Sequence, residues 1–115
     1  MLFICYPKCS TCKKAEQYLQ AKGLSFTVRD IKTDSPTADE LRTWYAASGL
    51  PLKRFFNTSG NLYKQLGLKD KLPTMSEDEQ LELLASDGML VKRPLVIYDG
   101  GVLVGFKQAE YDEKL

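Results

Sequence analysis

Cys9-Ser10-Thr11-Cys12 puts two thiols three residues apart, a spacing that on a helix sets both on one face. Such a pair can exchange with a disulfide: one sulfur attacks as thiolate, and the other resolves the mixed disulfide that forms. Lys8, Lys13 and Lys14 add positive charge around the pair, which favours the ionised sulfur. The residues before it, Leu2-Phe3-Ile4-Cys5-Tyr6, form a short apolar run ended by Pro7 and read as a buried strand. The residues after it, Lys13 to Lys22 before Gly23, read as a helix, with Ser10 and Thr11 as candidate hydroxyl caps. Cys9 then sits at a helix N-terminus, where free N–H groups and the positive end of the helix dipole stabilise a thiolate. Cys12 lies deeper in the first turn, shielded, as the resolving thiol. Two structural cysteines with an incidental spacing are the bland alternative, and half of a zinc site is another. No second pair exists to complete a zinc site, since the third cysteine is Cys5 alone. In mid-strand Cys5 reads as a small buried apolar residue with no catalytic role.

The elements that must hold this pair follow from periodicity. Cys12, Ala15, Leu19 and Tyr18 mark the inward stripe of the first helix. Leu24 to Ile31 alternates apolar and polar residues, as a half-buried strand does. Strand, helix and strand within 31 residues suffice for a βαβ unit with parallel strands. Thr37 with Glu40, and Ser76 with Glu79, have capping-box spacing. The first opens a helix with Leu41, Trp44, Tyr45 and Ser48 on one face, closing at Gly49. The second opens a helix with Leu81, Leu83, Leu84 and Ala85, ending at Asp87-Gly88. Between them the chain reads as short helical turns broken at Ser59-Gly60, Gly67 and Pro73. Pro94 to Tyr98 and Val102 to Phe106 flank Asp99-Gly100-Gly101, a hairpin whose turn suits positive φ. A short helix from about Gln108 to Leu115 completes an α/β chain with a mixed sheet flanked by helices.

Composition excludes several function classes. The chain has 115 residues, 16 Lys and Arg against 15 Asp and Glu, and a formal charge of +1. No global field favours nucleic acid, so direct nucleic-acid binding is not expected. There is no His, which removes Cys-His and Ser-His catalysis. Three clustered cysteines do not make a secreted disulfide framework. No apolar run reaches the roughly 20 residues that span a bilayer, and Met1 to Tyr6 lacks a basic leader. The expected location is the cytoplasm, and the expected organisation a single domain over residues 1–115. Lys92-Arg93-Pro94 precedes the hairpin; Pro is tolerated at a strand start. Arg93 is either a solvated charge or, if it lies over the Cys9 sulfur, a fork of donors for an oxyanion or carboxylate.

The chain resembles the arsenate reductase/Spx family of thioredoxin-like proteins. The likeness is carried by Tyr6-Pro7-Lys8-Cys9-Ser10-Thr11-Cys12, Phe55-Phe56-Asn57-Thr58-Ser59-Gly60, Leu66-Gly67-Leu68 and Lys92-Arg93-Pro94-Leu95-Val96. It implies a thioredoxin-like βαβ and ββα fold with a helical insertion over about 37–90, and a cis Pro94 facing the active-site cysteine. It implies Cys9 as nucleophile, Cys12 as resolving thiol in a Cys9–Cys12 disulfide, and Arg93 as the arginine that engages the anion. Lys8, Ser10, Thr11 and Pro94 are the expected substrate contacts, with no metal. The implied activity is a thiol-dependent reduction of arsenate type or of a disulfide. No bound cofactor is expected, but an external thiol reductant is: glutathione with glutaredoxin, or thioredoxin. The expected partner is therefore a small thiol or a redox protein. The family's glutathione-linked arsenate reductases carry a His where Cys5 stands here, and Asn57 takes the place of a second family arginine. The second cysteine matches Spx-like regulators, which bind the C-terminal domain of the RNA polymerase α subunit; that redox-sensing role is the alternative.

Overall fold

A computed structural model describes all residues, Met1–Leu115. β1 (Leu2–Cys5), α1 (Ser10–Ala21) and β2 (Thr27–Asp30) come first, followed by α2 (Ala38–Ser48). Short helices α3 (Asn61–Gln65) and α4 (Leu68–Lys71) precede α5 (Glu77–Ser86), and β3 (Leu95–Tyr98), β4 (Gly101–Val104) and α6 (Gln108–Lys114) complete the chain. The four strands form one mixed sheet in the order β2-β1-β3-β4, with β1 parallel to β2 and antiparallel to β3. This is the expected βαβ and ββα arrangement, with α2 to α5 between β2 and β3. No helix is long and apolar enough to cross a membrane.

The two-residue period of the strands splits the core. Phe3, Val96 and Leu103 stand in register across β1, β3 and β4 and pack with Cys5, Cys12, Ala15, Leu19 and Tyr111. Their neighbours Ile4, Leu95 and Val104 are likewise in register. They point the opposite way, into a larger cluster with Leu41, Trp44, Phe55, Leu84 and Leu90. β1 is therefore covered on both faces, which is why its sequence is a continuous apolar run rather than an alternation. β2 departs from expectation. It begins only at Thr27, and Val28, which the alternation placed inward, is 51% exposed. Val28 is paired with Phe3, but α1 packs over Phe3 and Val96 nearer the sheet centre, leaving the edge strand uncovered.

Both capping boxes form: Thr37 Oγ1 accepts from the Glu40 amide and Ser76 Oγ from the Glu79 amide, each at 3.1 Å. Glu40 has a second task that local pattern does not reveal. Arg29 on β2 donates to both its carboxylate oxygens at 2.7 and 2.8 Å, and also to the carbonyls of Asp34 and Ser35. This clamp fastens α2 to the edge strand. The hairpin forms as expected, and within the Asp99-Gly100-Gly101 turn the positive φ falls on Gly101 (+150°).

Gly88 is buried, and a Cβ there would lie 1.8 Å from the Ile31 carbonyl oxygen. Gly88→Ala should therefore destabilise the protein by about 2–4 kcal/mol in urea denaturation; a change below the error of the measurement would contradict this close approach. Arg29, chiefly through its hydrogen bonds, holds the Glu40 carboxyl down from 4.5 to about 2. A carboxyl depressed in the folded state stabilises above its unfolded pKa and loses that contribution as pH falls through the folded value. Glu40→Gln should cost about 1–2 kcal/mol at neutral pH, allowing for partial solvent screening of the pair. That deficit should shrink between pH 4.5 and 2.

Candidate active site at the mouth of the first helix

β1 ends at Cys5, and the chain turns through Tyr6–Cys9 into α1, closed by the Cys9 amide donating to the Tyr6 carbonyl at 3.0 Å. Cys9 itself is the N-cap, with extended backbone (φ −94°, ψ 123°), and Ser10 is already the first helical residue. The hydroxyl caps expected at Ser10 and Thr11 are therefore absent, and both side chains are exposed. The physical reason lies in the sequence position: an N-cap side chain serves the amides two and three residues on, and those belong to Thr11 and Cys12. The sulfur of Cys9 faces them instead.

Cys9 and Cys12 stand 3.7 Å apart, both as free thiols. Their environments differ. Partial burial, the largest influence on Cys9, works against its thiolate. The Cys12 amide, the Cys12 thiol, the Arg93 guanidinium and the Thr11 amide together outweigh that and bring the Cys9 pKa below the ordinary thiol value. The amides reach the sulfur without closing a cap hydrogen bond of ordinary geometry, so they act as oriented dipoles. Lys8, Lys13 and Lys14 are exposed and do not figure among these influences; the field expected from the lysines is replaced by amides and one guanidinium. Cys12 is 2% exposed and its thiol is pushed up to about 12, chiefly by burial and then by the charge and hydrogen bond of Cys9, against a Tyr6 amide that donates to its sulfur at 3.3 Å. Cys5 is likewise pushed up to about 11 by burial and by the carboxylates of Glu16 and Asp30.

Arg93 joins this pair from the other half of the fold. The Arg93–Pro94 peptide bond is cis and Pro94 is buried at the start of β3. The guanidinium carbon lies 5.3 Å from the centroid of the Tyr6 ring, within cation–π range. Its Nη1 makes a long 3.5 Å contact to the Met89 carbonyl, and its Nε is buried with no partner. Tyr6, which is not among the expected site residues, supplies both an amide to Cys12 and a ring to Arg93. Its place at the end of the apolar run and at the head of the Tyr6-Pro7-Lys8-Cys9-Ser10-Thr11-Cys12 motif is the signal for it in the sequence. Lys8 is exposed in the turn beside the site. No three acidic, cysteine or histidine side chains are grouped so as to hold a metal ion.

A dithiol at a βα junction is thus joined by an arginine and a cis proline from the opposite half of the chain. A model of the ArsC family matches residues 5–114. The chain belongs to the ArsC family. It is 52% identical over 113 residues to the uncharacterized protein YusI of Bacillus subtilis, covering 98% of this chain and 96% of that one. An ArsC-family-related protein of Bacteroides fragilis superposes with a TM-score of 0.94 at 54% identity, over 97% of this chain and 94% of that one. More distant ArsC-family relatives carry two kinds of name. A Neisseria meningitidis arsenate reductase is 30% identical over 86% of this chain and 84% of its own. The global transcriptional regulator Spx of Enterococcus faecalis is 27% identical over 90% of this chain and 77% of its own. The thioredoxin-like α/β fold of this ArsC-family chain is thus shown by both its topology and its neighbours.

The asymmetry of the two thiols is open to measurement. Iodoacetamide should modify Cys9 with a midpoint below the ordinary thiol value, while Cys12 stays unmodified up to pH 10. Arg93→Ala should slow modification at pH 7 by about three- to tenfold, the scale of one net hydrogen bond. Lys13→Glu with Lys14→Glu should slow it less; the reverse order would show that the lysine field dominates.

Proposed function

We propose that this ArsC-family chain is a thiol–disulfide reductase in which Cys9 is the nucleophile, Cys12 resolves and Arg93 steadies negative charge at the sulfur. The observation that carries this reading is the pairing, 3.7 Å apart, of a thiol held low with one held high. The Cys9 thiolate attacks one sulfur of a substrate disulfide, forming a mixed disulfide and releasing the other sulfur as thiolate. Cys9 is then uncharged and no longer a hydrogen-bond acceptor for Cys12, so two of the influences that keep Cys12 protonated vanish. Cys12 loses its proton to the released thiolate or to water, attacks the Cys9 sulfur and expels the second half of the substrate. The substrate gains two electrons and the protein ends as a Cys9–Cys12 disulfide, which an external thiol reductant returns to the dithiol.

Arg93 is the substrate-facing cation in this scheme: its buried, partnerless Nε marks a donor that an anion could satisfy. Thr11 contributes its amide, the exposed Ser10 and Lys8 form the rim that a substrate meets, and the buried Pro94 holds Arg93 in place from the next position. Arsenate, suggested by the relatives named arsenate reductase, is an alternative electron acceptor at the same sulfur. A second reading is favoured by the relatives named Spx together with the two-cysteine motif: a redox-sensing regulator that binds the α subunit of RNA polymerase. It expects co-purification with that subunit that changes on oxidation.

Reduction of a disulfide, or of arsenate, by the pre-reduced protein should be abolished in Cys9→Ala. Cys12→Ser should instead trap a mixed disulfide on Cys9, visible as an adduct by mass spectrometry. Equal rates for wild type and Cys9→Ala would overturn the enzymatic reading.

A further inference from the structure

A trough in two lobes, of about 340 and 530 Å³, reaches the first helix at Thr11. Arg54 and Lys92 line both lobes, so the two join across them; Lys53 and Thr58 extend one, Thr11 and Lys107 the other. Four cations and no carboxylate line it, in a chain whose formal charge is only +1. None of the four belongs to any of the six ion pairs in the structure. Same-sign charge concentrated in a concave surface focuses its field on a counter-charged ligand.

The trough is built on fixed backbone. The Lys92 amide donates to the Phe55 carbonyl and the Asn57 amide to the Leu90 carbonyl, both at 2.7 Å, around the Phe56–Val91 bridge. These bonds hold the turn bearing Arg54 beside Lys92. The Lys92 stem then passes over Gly105, close enough that a Cβ there would meet its Cε at 3.3 Å. The Gly105 amide donates to the Pro94 carbonyl at 2.8 Å, tying that floor to the residue after Arg93. At the far wall Thr11 carries one of the amides aimed at Cys9. The trough thus leads to the turn that bears the nucleophile.

We propose that this trough docks an acidic polypeptide segment flanking the disulfide that Cys9 attacks. This rests on the thiol–disulfide reading above and adds its substrate class. A compact oxyanion is satisfied by one or two donors, whereas cations distributed along two joined lobes suit carboxylates distributed along a chain. The exchange itself is unchanged: the Cys9–sulfur bond forms as the substrate's disulfide breaks, and Cys12 completes the two-electron reduction. The docked segment raises the encounter rate and orients the disulfide over Cys9.

The test is single-turnover reduction of three peptide disulfides, alike except for acidic, serine or lysine flanks, by the full-length reduced protein at low salt. The acidic peptide should react at least about tenfold faster than the basic one, with the advantage shrinking as salt rises. Arg54→Glu with Lys92→Glu should erase or reverse that order, while neutral iodoacetamide still modifies Cys9 near the wild-type rate. Equal rates for the three peptides with the wild-type protein would overturn the groove and leave the reductase reading standing. No reduction of any peptide, with Cys9 still open to alkylation, would overturn both. A short oligonucleotide that slows the acidic peptide as strongly as an unreactive acidic peptide does would overturn the assignment to polypeptide.

Discussion

A sulfur in the N-cap position of α1, facing the Thr11 and Cys12 amides and the Arg93 guanidinium, sets the demands on the rest of the molecule. The amides have the right direction only if the chain leaves β1, turns through Pro7 and enters the helix without a hydroxyl cap of its own. A Ser or Asp at position 9 would be an ordinary cap; a Cys there puts the helix's unsatisfied donors to chemical use. The arginine must come from another part of the chain, because α1 and its turn supply only lysines, which remain in solvent. The mixed sheet provides it: β3 lies next to β1, so the residue just before β3 is brought opposite the residues just after β1. Burial of β1 on both faces makes that neighbour relation rigid.

The helices between β2 and β3 serve this geometry indirectly. Met89, at their C-terminal end, offers a carbonyl to Arg93, and the bonds from Lys92 and Asn57 to Phe55 and Leu90 anchor the segment that precedes the cis proline. Glu40, in turn, fixes α2 to β2 through Arg29. Position along the chain and position around the site are therefore coupled through a few backbone bonds and one bidentate ion pair, with the apolar cluster of Ile4, Leu41, Phe55 and Leu90 beneath them.

Much of this is legible in sequence where the cause is local. The capping boxes of Thr37 and Ser76 depend on residues three apart, and both formed as read. The hairpin over Leu95–Val104 and the Cys12, Ala15, Leu19 stripe likewise follow from short-range period. What is not legible depends on residues distant in sequence. Val28 has the pattern of an inward residue, yet exposure is decided by where α1 crosses the sheet. Arg29 and Glu40 look like two surface charges until β2 and α2 are adjacent. Tyr6 looks like the tail of a strand until Arg93 is folded over it. Lys13 and Lys14, prominent in a linear reading, lie on the exposed face of α1 and do not figure among the influences on Cys9.

The three thiols show how little of this chemistry resides in cysteine itself. Cys5, Cys9 and Cys12 lie within eight residues, and the same desolvation acts on all three. Cys5 meets two carboxylates, Glu16 and Asp30, and no compensating donor is prominent among the influences on it; its thiolate is disfavoured at every turn. Cys12 receives one amide, from Tyr6, too little to offset its burial. Cys9 alone gathers several donors at once, and its own negative charge then helps to keep Cys12 protonated. Order of reaction is built into that dependence: as long as Cys9 is free the partner is suppressed, and capping Cys9 covalently removes the suppression. A dithiol of two equally acidic sulfurs would react at either end, whereas unequal burial beside a shared set of amides gives one entry point and one exit.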